Sequence, residues 1–215
     1  MALVKPLEEN EIESELCEFI QFFKGPLGVI PNSVRTMSRR PKIARAFTEL
    51  NMAVMECHGN VTPEFKRIIG YITSYVSGCR YCQAHTILGS QRFGSTEARL
   101  MDAWNYENSE HYTDAEKIAL KYAHAAASIP NGVDAELENE LKEHWEDNDI
   151  VEITAVIALF GYLNRWNDSM GSALEDLPIE AGNNLLGDTD WEAVSYTHLR
   201  AHETDSYLVC RLLLE

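Results

Sequence analysis

Basic residues are scarce in this chain. Its 215 residues include 18 lysines and arginines against 34 aspartates and glutamates, a net charge of -16 at neutral pH. A phosphate-binding face needs concentrated positive charge, so the balance argues against nucleic acid as a partner. Long apolar runs are missing too. The most apolar stretches, such as Ile153 to Leu163, are too short to cross a bilayer, so no membrane role is expected. The N-terminus, MALVKPLEENE, turns acidic at once and lacks an apolar signal core. These absences predict a cytoplasmic protein whose resting cysteines are reduced. No segment alternates convincingly at period two, and there is no internal repeat, low-complexity tract or linker. What remains is helical period almost everywhere. The expected fold class is all-α, a multi-helix bundle in a single domain.

The last residues, Val194 to Glu215, read VSYTHLRAHETDSYLVCRLLLE. This stretch resembles the in-frame translation of a sequencing-library adapter: VSYTHLRAHET matches one adapter segment and LVCRLLLE a second. Residues 194–215 are therefore set apart as an artefact, and the native domain is expected within residues 1–193. A genuine C-terminal helix is the alternative. No function is assigned to His198, His202 or Cys210.

Within residues 1–193 the pattern predicts a first helix over 8–23, stopped by Gly25, Pro26 and Gly28. A short helix precedes Pro41. Residues 42–57 form the next, with Ile43, Phe47, Leu50 and Val54 expected inside. Thr62 and Pro63 mark a strong helix start, a hydroxyl cap followed by proline at the first position. That helix runs to about Val76, with Phe65, Ile68, Ile69, Ile72, Tyr75 and Val76 on its apolar face. Gly78 breaks it, and a new helix runs from Cys79 to Phe93. A short helix covers 95–104. Thr113 and Glu116 form a capping box for a helix to about Ser128. Helices over 134–145 and 149–168 complete the set, the last central and buried.

The run Gly78-Cys79-Arg80-Tyr81-Cys82-Gln83-Ala84-His85 carries the chemistry. Cys79 lies where a helix begins, and the unpaired N–H groups and positive dipole end there favour a thiolate. Cysteines three apart share a helix face, with α-carbons roughly 5–6 Å apart, which suits a disulfide. His85 continues that face and is placed to exchange a proton with a thiol. Two alternatives stay open: half of a zinc site completed by Cys57 or His58, or a pair of inert core cysteines. There is no second CxxC, and no HxxxH before residue 194.

The run VSGCRYCQAHTILGSQRFG resembles the active-site helix of the carboxymuconolactone decarboxylase/alkylhydroperoxidase-D family. LGVIPNSVRTMSRRPKIARAF and FGYLNRWNDSM are similar to flanking stretches in that family. The resemblance spans roughly residues 15 to 175. It implies an AhpD-like bundle and a thiol-dependent peroxidase or disulfide oxidoreductase with an antioxidant role. Cys82 would attack a hydroperoxide, Cys79 would close a disulfide with it, and a lipoyl or thioredoxin-like dithiol would reduce the pair. It also implies a homo-oligomer, a trimer or hexamer, and no cofactor or metal. A carboxymuconolactone decarboxylase-like enzyme and a non-catalytic redox or metal sensor are the other functional readings.

Two family features are absent. The relay histidine of characterised members falls four residues after the second cysteine, where this chain has Thr86; its histidine is at 85. The glutamate twelve residues before the first cysteine is replaced by Arg67. Glu64, one turn earlier, is a candidate substitute. Arg67 would favour a thiolate but cannot serve as a base at neutral pH. Peroxidase activity weaker than or different from the family's is expected. His58 is read first as a helix C-terminal histidine complementing the dipole, and second as another relay. Asn164, Arg165, Asn167 and Asp168 form a polar end on an apolar helix, so Asn164 and Asp168 are further candidates for the pocket or for a subunit interface.

Overall fold

The computed structural model describes residues 2–187 and 189–193. The 194–215 stretch lies outside them. The described residues contain α-helices and short 3-10 turns, with no strand among them. None of these helices is long and apolar enough to cross a membrane.

Two antiparallel helices form the centre, α5 (Pro63–Val76) and α6 (Arg80–Arg92). The long α10 (Asp147–Met170) packs across both. On the far side of α5 lies α8 (Asp114–Ala127), with α9 (Ala135–His144) against it. The N-terminal part comprises α1 (Ser14–Ile20), α2 (Lys24–Leu27), α3 (Asn32–Met37) and α4 (Pro41–Met55), of which α4 packs on α10 and α2 on α6. The short α7 (Glu97–Met101) follows α6, and α11 (Asp176–Leu185) closes over α6.

The caps are as the sequence predicts. The Thr62 hydroxyl accepts the Phe65 amide at 3.1 Å, with Pro63 at the first helical position. Thr113 and Glu116 form both bonds of a capping box. Each such cap contributes about 1 kcal/mol. Ile68, Ile69 and Ile72 of α5 are fully buried, each contributing about 1.5–3 kcal/mol by leaving water.

Several expectations fail locally. The single helix over 8–23 is broken: a 3-10 turn, α1 and a second 3-10 turn precede α2. Gly25 and Pro26 sit inside α2, since proline is tolerated in a first turn, and the chain reverses at Gly28 with φ +76°. On α4, Ile43 and Leu50 are 45% and 50% exposed. The buried stripe is Ala44, Phe47 and Thr48, so the expected Phe47 is inside with two small residues in place of Ile43 and Leu50. Tyr75, placed on the apolar face of α5, is 42% exposed. The helix α11 was not expected at all.

A buried lysine ties the bundle together. Lys66 of α5 is fully buried, and its Nζ donates to the Val54 carbonyl at 2.9 Å and the Glu56 carbonyl at 2.5 Å. It also pairs with Glu152 Oε2 of α10 at 2.9 Å. The end of α4 is thereby fastened to α5, and α5 to α10. Lys66→Met should cost about 3–5 kcal/mol in urea unfolding, because Glu152 loses its counter-charge while half-sealed from water. Adding Glu152→Gln should recover part of that loss. Strict additivity of the two substitutions would contradict the pairing.

Candidate active site

Both sulfurs are placed by the turn between α5 and α6. Gly78 has φ +71°, a left-handed conformation that a side chain would strain. Through it the Gly78 amide bonds to the Tyr75 carbonyl and the Cys79 amide to the Ser74 carbonyl, each at 3.0 Å. Cys79 becomes the N-cap of α6 and Cys82 falls in its first turn. Both cysteines are free thiols, 0% and 2% exposed.

The two sulfurs differ in surroundings. Cys82 lines a cavity of about 70 Å³ walled mainly by Phe23, Leu27, Phe47, Phe160 and Leu163. Cys79 is not among the lining residues. Its side chain hydrogen-bonds with Cys82, and that bond, burial and the nearby Cys82 and Asp168 push the Cys79 thiol well above the usual range. Cys82 Sγ also receives a hydrogen bond from Asn167 Nδ2 at 3.3 Å. Asn167 is 2% exposed, and its Oδ1 has no hydrogen-bond partner among the described residues.

His85 lines the same cavity, but its nitrogens face elsewhere than the sulfur. Nδ1 lies 2.9 Å from the Tyr81 carbonyl and Nε2 lies 2.9 Å from Glu175 Oε2. Both neighbours are hydrogen-bond acceptors. Glu175 Oε1 accepts from the Tyr81 hydroxyl at 3.0 Å and from the Asn32 amide. Tyr81 stacks on His85 with ring centroids 4.3 Å apart. Burial alone would push the Glu175 carboxyl up. The charge of His85, its hydrogen bond and the Asn32 amide outweigh burial and hold it below its ordinary value.

Arg67 also lines the cavity. Burial draws its pKa down to about 10, against the pull of Glu64. Glu64, the suggested replacement base, does not reach the cavity. Its Oε1 accepts from Arg99 Nε at 3.0 Å and Ser95 Oγ at 2.6 Å, which fastens α5 to α7. Thr86 does line the cavity, yet its hydroxyl donates to the Cys82 and Gln83 carbonyls of its own helix.

The remaining candidates lie elsewhere. His58 is exposed, with Nε2 at 2.8 Å from the Ala53 carbonyl at the end of α4. That is the capping position, not a relay position. Cys57 is exposed beside it, away from the Cys79–Cys82 pair. Asn164 and Asp168 line a different cleft, with Thr73, Ser77 and Arg165. The reason is helical spacing: positions 160, 163 and 167 of α10 face Cys82, while 161, 164 and 168 face away.

Residues 41–125, which contain the cysteine pair, match the carboxymuconolactone decarboxylase family. The fold is also that of the debrominase Bmp8, at 31% identity and a TM-score of 0.80 over 85% of this chain and 97% of that one. The chain belongs to the carboxymuconolactone decarboxylase family. A cysteine-to-alanine variant of Bmp8, solved in complex with 2,3,4-tribromopyrrole, superposes equally well, with a TM-score of 0.81 at 30% identity over 86% and 98% of the two chains. An AhpD-core, peroxidase-related protein from Ralstonia eutropha JMP134 shares the fold at 22% identity and a TM-score of 0.71, over 82% of this chain and 94% of that one. The uncharacterized protein YnjA of Escherichia coli K12 is 32% identical over 93 residues, 43% of this chain. That match spans half of YnjA's length.

Around this cavity, sequence reasoning missed Glu175 and Tyr81 and left Asn167 in a general polar cluster. An acid followed by Asp176 and Pro178 is a helix-start signal, and it was the available pointer to Glu175. Because the Glu175 carboxyl is held below its usual value, the stability it lends is present at neutral pH and is lost as pH falls below 4.5. Glu175→Gln should therefore lower stability by about 3 kcal/mol at neutral pH. The gap to wild type should close on acidification through that range. Urea melts at a series of pH values measure it, and a gap independent of pH would refute the ion pair.

Proposed function

We propose that this protein is a thiol-dependent oxidoreductase that reduces a small electrophile, a hydroperoxide in the first instance, at Cys82. The observation that carries the reading is the asymmetry of the two sulfurs: Cys82 borders the cavity, and Cys79 is sealed behind it as a protonated thiol hydrogen-bonded to it. In the proposed reaction the Cys82 thiolate attacks the terminal peroxide oxygen. The S–O bond forms, the O–O bond breaks, and the alkoxide takes a proton held by the His85–Glu175 pair to leave as alcohol. Cys79 then displaces hydroxide from the Cys82 sulfenic acid. Its proton joins that hydroxide, so water and a disulfide result. A dithiol of the lipoyl or thioredoxin type reduces the disulfide and is itself oxidised.

Asn167 and the start of α6 serve this chemistry by directing N–H groups and a positive dipole end at Cys82. The cytoplasm is the compartment that keeps such a pair reduced between turnovers. A homo-oligomer, trimer or hexamer, and an antioxidant role belong to the same reading. A decarboxylase reading leaves the cysteine pair without a task.

The likeness to a debrominase and the apolar cavity wall favour a second reading, reductive dehalogenation. There the dithiol supplies two electrons. The carbon–halogen bond breaks, the carbon takes a proton, hydrogen halide leaves and the disulfide forms.

Stopped-flow mixing with cumene hydroperoxide tests the first reading. Wild type should consume one peroxide per dithiol, at least about 100-fold faster than free cysteine. Cys82→Ser should fall to the free-thiol rate. Cys79→Ser should still react once and hold a sulfenic acid that dimedone traps. A wild-type rate equal to that of free cysteine would sink the peroxidase. Bromide release from 2,3,4-tribromopyrrole with dithiothreitol decides the second reading.

A further inference from the structure

Arg67 is an unusual wall for a thiol cavity. It is 7% exposed, and its Nη1 donates to the Pro63 carbonyl. A guanidinium has five N–H donors, so this bond leaves four. Its carbon lies 3.7 Å from the centre of the Phe93 ring. No carboxylate of the described residues is within ion-pair distance of it. Glu64 acts on it only from farther off, since Arg99 and Ser95 occupy its Oε1. A buried cation without a bound counter-charge is costly unless a ligand supplies one. The neighbouring helix also leaves room for it. A Cβ at Gly89 would stand 2.9 Å from both Cδ and Nε of Arg67, so any side chain there would displace the guanidinium stem.

The lining is apolar in its larger part, and its polar side chains are Arg67, His85 and Asn167 with the neutral Ser33, Asn51, Tyr81 and Thr86 beside the Cys82 thiol. Of these, His85 is matched by Glu175. Arg67 is the cation whose charge remains open to the cavity. We propose that Arg67 is a specificity-determining residue: it recognises an anionic or weakly acidic group, such as a carboxylate or an acidic ring hydroxyl or N–H, on a small apolar electrophile presented to Cys82. This rests on the reading of Cys82 as the reacting atom and adds the chemical class of its substrate. A small neutral peroxide would leave the guanidinium unmatched. A hydroperoxy acid or an acidic haloarene fills both halves of the cavity.

Charge-selective alkylation tests this without any turnover. Iodoacetate and iodoacetamide react with the same thiolate, forming S–C and releasing iodide, so the ratio of their rates cancels thiol reactivity and reads local charge. Free cysteine prefers the neutral amide. Cys82, followed by peptide mass, should prefer iodoacetate. The acetate-to-amide ratio should fall about tenfold in Arg67→Met and largely survive in Arg67→Lys. Arg67→Gln serves where Arg67→Met does not fold. A wild-type ratio equal to that of free cysteine, or one unchanged in the neutral variants, would overturn the proposal. Should neither reagent reach Cys82, thermal shifts of the Cys82→Ser protein decide instead. Benzoate should raise Tm only while Arg67 is present, and an equal effect from benzyl alcohol would count against it. Loss of peroxide reactivity with the ratio intact would remove the peroxidase and leave the anion site standing.

Discussion

A left-handed residue between two antiparallel helices, Gly78, decides which of two sulfurs meets open space. The turn it permits satisfies the backbone within one residue of α5 and starts α6 at Cys79. Three residues are less than one helical turn, so Cys79 and Cys82 share a side of α6 but not a depth. Cys79 is left against the core and Cys82 at the cavity. A side chain at 78 would strain the left-handed geometry on which this placement of the two thiols rests.

The site's charges obey the same economy as the core. Lys66 is buried with a carboxylate and two carbonyls, and His85 is buried with Glu175 and a carbonyl. Each buried side chain lies among acceptors, as burial of a donor in low dielectric requires. Arg67 breaks this pattern within the site and at the same time replaces the acid that the family resemblance places there. A position where the resemblance implies a base carries a cation here. The acid that faces the histidine instead arrives from the opposite direction, at the start of α11.

That exchange explains how much was legible in sequence. Local signals read well: the Thr62–Pro63 start, the Thr113–Glu116 box, the glycine break and the paired cysteines all depend on residues within a few positions of one another. What failed depended on distant partners. Glu175 lies ninety residues from His85, and no spacing rule links an acid before a short helix to a histidine in another. The buried stripe of α4 was misjudged for a related reason. Periodicity gives a face, but the one that is buried carries the small residues Ala44 and Thr48 beside Phe47 and is rotated from the bulkier one. Glu64 and His58 were reasonable candidates by proximity in sequence, yet side chains a turn away on a helix can point to different neighbours, here Arg99 and the end of α4.

The chemistry follows from which groups can hold a mobile proton. Thr86, at the spacing of the family's relay histidine, spends its hydroxyl on its own helix, and Arg67 keeps its proton at neutral pH. The proposed reaction therefore draws its proton from His85, which lines the cavity with Glu175 behind it, and the Tyr81 hydroxyl and Asn32 amide bond that carboxylate. Asn167 Nδ2 at Cys82 and the guanidinium of Arg67 bring donors to a cavity whose wall is otherwise largely apolar, the arrangement that the proposed reaction uses for developing negative charge. A site arranged in this way suits an electrophile that is itself electron-rich at one edge and leaves as an anion. Against a substrate with no charge to place, half of that arrangement has nothing to bind.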